Sequence, residues 1–114
     1  MTYKEVDTLM ASFDLPYAYY QFTEDTAQPP PFLCFYYPDG NDFLADNINY
    51  QRIRPLTIEL YTDNKDIELE DGIENTLSQN GLVYRRNETF IESEKLYMVT
   101  FETEIVITEE LPNG

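Results

Sequence analysis

Apolar residues recur along this chain with two different periods, and the changes of period mark out its elements. Tyr3, Val6, Met10 and Phe13 fall three and four residues apart, with Leu9 widening the stripe, which predicts an amphipathic helix. Thr2 and Glu5 stand at the spacing of a capping box, in which each side chain satisfies the other's free backbone donor. Pro16 disfavours helical geometry in the residue before it, so the helix is expected to stop near Asp14. Tyr17 to Phe22 is short and aromatic, the pattern of a strand. Pro29-Pro30-Pro31 then favours an extended, stiff connector. The alternative, a ligand for a proline-recognition module, lacks a second proline spacing. Phe32 to Tyr37 is a continuous apolar run, as in a strand covered on both faces.

Pro38-Asp39-Gly40-Asn41 reads as a turn, and residues 42–49 fit neither period while carrying Phe43, Leu44 and Ile48. Alternation resumes from Tyr50, with Leu56, Ile58 and Leu60 on one face and Thr57, Glu59 and Tyr61 on the other. Pro55 is expected at the start of that strand or at a bulge. Asp63 to Gly81 predicts a second helix, capped by Asp63, Asn64 or Asp66 and striped by Leu69, Ile73 and Leu77. Glu68 and Glu70 lie near the positive end of its dipole, and Asn80-Gly81 fits a left-handed stop. Gly72 inside this helix costs about 1 kcal/mol relative to Ala, unless it serves close packing against a sheet. Leu82 to Arg86 and Thr89 to Glu92 flank an expected turn or bulge at Asn87-Glu88. Tyr97 to Ile107 alternates cleanly, with Met98, Thr100, Glu102 and Glu104 on the more polar face. The order α-β-β-β-α-β-β predicts an α+β fold: an antiparallel or mixed sheet of about four to five strands flanked by two helices. Residues 1–114 are expected to form a single domain with residues 110–114 frayed.

Composition narrows the function. Twenty-two acidic and seven basic residues give a net charge of −15, which repels phosphates and anionic headgroups. Direct sequence-specific nucleic-acid binding and membrane binding are therefore not expected. Seventeen aromatic rings, ten Tyr and seven Phe, supply core volume and argue against disorder. Cys34, the one cysteine, excludes an intramolecular disulfide and sits in an apolar run, where a small core residue is expected. The absence of His removes the commonest general base and metal ligand near neutral pH. No Gly-rich phosphate loop or zinc cluster occurs. Asp39 to Asp42 and Asp63 to Asp66 share residue types with calcium loops but lack the full ligand spacing and closing Glu. The expectation is a binding protein, not an enzyme, with no cofactor and no metal, in a reducing cytoplasm.

Several stretches carry a resemblance. Leu15 to Phe22, Pro29 to Pro38, Phe43 to Asn47, Ile58 to Asp63 and Ile91 to Tyr97 resemble, in order and over nearly the whole chain, small structural proteins of phages and prophages of Gram-positive bacteria. The pattern is similar to the tail terminator, or tail-to-head joining, proteins of long-tailed phages. It rests on overall pattern and includes no catalytic motif. The resemblance implies a sheet flanked by two helices. It implies a hexameric ring that ends growth of the tail tube and docks on the head connector or stopper. The implied partners are other copies of the chain, the tail tube protein and the head connector. The implied location is the tail-head junction of the virion, after assembly in the host cytoplasm.

A ring closes through a head-to-tail contact between two unlike patches. Phe43, Leu44 and Ile48 are candidates for one patch, against the alternative of a loop folded on its own core. Arg52 and Arg54, or Arg85 and Arg86, are candidate partners for a neighbour's carboxylates. The charge also admits a reading from another class: an acidic DNA mimic that inhibits a nuclease or another DNA-binding protein. Such a mimic needs acids along one face at phosphate-like spacing, whereas here they are spread over helices, loops and the last strand.

Overall fold

In a computed structural model, residues 1–38 and 52–107 are described, and Arg52 is placed by its backbone alone. Phe43, Leu44, Ile48 and the expected frayed tail lie outside the described residues. The elements follow the predicted order: α1 (Tyr3–Ala11), β1 (Tyr17–Tyr19), β2 (Phe32–Tyr36), β3 (Arg52–Thr62), α2 (Ile67–Gln79), β4 (Tyr84–Ile91) and β5 (Leu96–Ile107). The five strands form one mixed sheet in the order β1-β2-β3-β5-β4. Among the described strands only the β1/β2 pair is parallel.

Register explains the layering. Leu56, Ile58 and Leu60 stand opposite Thr103, Phe101 and Val99, and Leu33 and Phe35 stand opposite Leu60 and Ile58. All of these are buried, and all but Thr103 form one apolar cluster with Val6, Leu9 and Met10 of α1 and Ile73 and Leu77 of α2. Both helices therefore cover the same face of the sheet. The opposite face carries Phe32, Cys34 and Tyr36 of β2, Thr57, Glu59 and Tyr61 of β3, and Glu102 and Glu104 of β5. No helix covers it. Instead the residues joining β1 to β2 reach over one part of it, with Phe22 against Phe32 at 5.3 Å between ring centres. Burial from two sides explains the unbroken apolar run at Phe32 to Tyr37.

The caps are as the sequence writes them. Thr2 Oγ1 accepts from the Glu5 amide at 3.0 Å, and Glu5 Oε1 accepts from the Thr2 amide at 2.9 Å. Asp66 is the cap of α2, accepting from the Leu69 amide at 3.0 Å, so α2 starts at Ile67 and not at Asp63. At the other end the Leu82 amide donates to Leu77 and the Gly81 amide to Ser78, a Schellman closure with Gly81 at φ 73.

Four expectations need correction. The first strand ends at Tyr19 rather than Phe22, because Tyr20 takes a left-handed backbone (φ 71) that turns the chain out of the sheet. Pro55 is the fourth residue of β3, in unbroken register opposite Glu104, and not at a start or bulge. Proline is tolerated there because β2 ends opposite Thr57, leaving only β5 beside Pro55 among the described residues. Asn87 and Glu88 form no turn or bulge: β4 runs straight through them, opposite Thr100 and Val99. Gly72 makes no close approach to the sheet, since a Cβ built there meets nothing within 4 Å.

Candidate functional site: the open face of the sheet

Alternation in β2 and β3 places Phe32, Tyr36, Glu59 and Tyr61 side by side on the uncovered face. The left-handed turn at Tyr20 adds a further ring. Tyr20 packs on Tyr36 with ring centres 5.1 Å apart, and Phe32 stacks on Tyr61 at 4.9 Å and 20°. Together with Phe22 these rings line a broad concavity of about 950 Å³. Its walls also carry Asp63, Glu94 and Lys95, the last two from the turn between β4 and β5.

Glu59 is the charged group among the rings. Its Oε1 accepts from the Tyr61 hydroxyl at 2.8 Å. Burial, followed by that bond and the charge of Glu59, holds the Tyr61 phenol far above its ordinary range. Burial and the same carboxylate also raise the Tyr36 phenol. Beneath them, Cys34 is 4% exposed, and burial pushes its thiol up to about 11. Cys34 is thus a packed residue and not an activated nucleophile. Among the described residues no cation pairs with Glu59, and no group of three or more His, Cys, Asp or Glu could hold a metal ion.

The candidate arginines are placed in different surroundings. Arg52 opens β3 opposite Ile107. Arg54 lies on the helix side, where its Nε donates to the Tyr3 hydroxyl at 3.3 Å. Arg86 is also on the helix side, bonded to the buried Glu70 of α2, with Glu74 at 3.7 Å and Glu88 at 3.3 Å. Lys65 completes that cluster, 2.7 Å from Glu70 and bonded to Glu88. Arg85 is exposed on the open face of β4, opposite Glu102. Sequence reasoning missed Glu59 and its rings as a site. The available signal was the alternation in β3 that sends Glu59 and Tyr61 away from Leu56, Ile58 and Leu60.

The two edges of the sheet are unlike. β1 contributes three residues, the last of them Tyr19, which is exposed, as is Tyr20 just after the strand. β4 contributes eight, six of them exposed in succession, Phe90 among them at 42%, and Val83 just before the strand is 88% exposed. Comparison with models of protein families finds none that matches the chain, and comparison with curated proteins finds no match. No helix among the described residues is long and apolar enough to cross a membrane.

Proposed function

We propose that the chain is a virion structural protein of a long-tailed phage or prophage. In this reading it is a tail terminator that closes as a six-fold ring on the head-proximal end of the tail tube and joins tail to head. The observation that carries this reading is the pair of unlike edges on one sheet. A head-to-tail ring requires two different patches per subunit, whereas a two-fold dimer uses one patch twice. The long, exposed β4 edge with Val83 and Phe90 offers one patch, and the short β1 edge with Tyr19 and Tyr20 offers the other. The −15 charge suits a ring wall past which DNA moves, since carboxylates repel phosphate. The ion-pair cluster argues against a DNA mimic: Lys65 and Arg86 pair with Glu70, Glu74 and Glu88 within the chain and offset most of their charge, which weakens any phosphate-like row there.

Electron microscopy of tail tubes assembled with and without the chain tests the proposal. Six-fold rings at one tube end and tubes of limited length are expected. Tubes that extend past their normal length with the chain present would overturn it.

A further inference from the structure

The concavity on the open face combines three features that point to one kind of ligand. It has aromatic rings from three separate segments: Tyr20 and Phe22, Phe32 and Tyr36, and Tyr61. It has a carboxylate, Glu59, set among those rings and half-buried. And among the described residues that carboxylate has no cationic partner, although the helix side of the same sheet binds Lys65 and Arg86 to its own acids. Ring faces attract cations, most strongly where water is partly excluded. A carboxylate held beside them has one oxygen committed to the Tyr61 hydroxyl and the other without a hydrogen bond among the described residues. The charge of the wall is likewise one-sided, with Asp63 and Glu94 against the single Lys95.

We infer that this concavity is a recognition site for a guanidinium group, the side chain of an arginine presented by a partner protein. A guanidinium is flat, stacks on aromatic faces and forks onto a carboxylate, so it matches both features at once. An ammonium is more strongly hydrated and matches only the charge. An apolar occupant would leave Glu59 shielded from water without a counter-charge, which is costly. Tyr20 supports the assignment from the backbone. Its left-handed conformation costs a non-glycine residue about 1–2 kcal/mol, and what it achieves is to bring one more ring over Tyr36. Strain of this sort gathers at binding sites. The inference does not rest on the proposed ring, although Tyr20 belongs both to the β1-edge patch and to the concavity: Glu59, which lies on neither edge strand, tests the arginine site apart from the ring.

The test uses N-acetyl-arginine amide as probe and N-acetyl-citrulline amide as its uncharged isostere, titrated into the full chain and followed by the ring resonances of its tyrosines. Saturable shifts at Tyr20, Tyr36 and Tyr61 with the arginine probe, and none with citrulline at equal concentration, are expected. Glu59→Gln keeps the shape and an acceptor for Tyr61, and is expected to weaken binding roughly tenfold or more, as for loss of a hydrogen bond to a charged group. Tyr20→Leu, at a position 62% exposed, is expected to weaken binding about two- to fivefold without lowering the melting temperature. Equal shifts with both probes, no saturable shift, or unchanged affinity in Glu59→Gln would each overturn the assignment.

Discussion

Gly72 is the sixth of thirteen residues in α2, and nothing among the described residues around it requires a glycine. Only its conformational freedom in the unfolded chain remains, and that opposes folding. Gly72→Ala is expected to raise stability by about 1 kcal/mol, read as a higher urea midpoint at unchanged slope. Cys34 gives a second prediction at this scale. Its thiol is held up to about 11 against an ordinary 9.0, so the folded state keeps the proton that the unfolded state loses first. The stabilisation is fully present below 9.0 and disappears as pH rises from there through about 11. Stability measured from pH 8 to 11 should therefore fall, and the fall should be shallower in Cys34→Ala. At pH 8 the native thiol should resist aromatic disulfide reagents that label it promptly in urea.

At the scale of elements, α2 is fastened to the sheet by charge as well as by its apolar stripe. Glu70 is 1% exposed and lies against Arg86 of β4 and Lys65. The hydrogen bond that Arg86 donates to Glu70, outweighing burial, raises its guanidinium, and for Lys65 burial, which lowers it, is exceeded by its bonds to Glu70 and Glu88 together, so that it too is raised. Arg86→Met would leave Glu70 buried with Lys65 alone, at a cost of roughly 1–3 kcal/mol. Glu70→Met in the same chain should restore part of it, since burying an ion pair is itself expensive. A double-mutant cycle in urea isolates the coupling. These elements were legible in the sequence to different depths. The helix stripes, the Thr2–Glu5 box and the β3 and β5 alternation were local patterns, and the elements formed there. The pairing of Glu70 with Arg86 was not legible, because it depends on β4 lying beneath α2. Near a helix start, Glu70 reads first as a dipole partner on the surface. The same holds for Glu59, whose place among the rings follows from β2 pairing with β3 and from a turn at Tyr20 that no proline or glycine announces.

Over the whole molecule, electrostatics oppose self-association, so in the proposed ring apolar contacts must drive it. Each copy carries −15, so bringing copies together concentrates like charge. Exposed charges interact over about 10 Å at 0.1 M salt and about 3 Å at 1 M. If copies associate through Val83, Phe90, Tyr19 and Tyr20, added salt removes the repulsion and leaves the attraction, and association strengthens. If exposed ion pairs such as Arg85 with a neighbour's acids were the main attraction, association would weaken instead. Analytical ultracentrifugation from about 0.05 M to about 0.5 M sodium chloride should show sedimentation shifting toward the assembled species. Val83→Asp, at the most exposed apolar position of the β4 side, should abolish that shift while leaving the fold intact, since its side chain touches little of the core. The arginine site should respond in the opposite sense, binding its charged probe more weakly as salt rises. The two responses distinguish an apolar self-contact at the sheet edges from a charged contact on the sheet's open face.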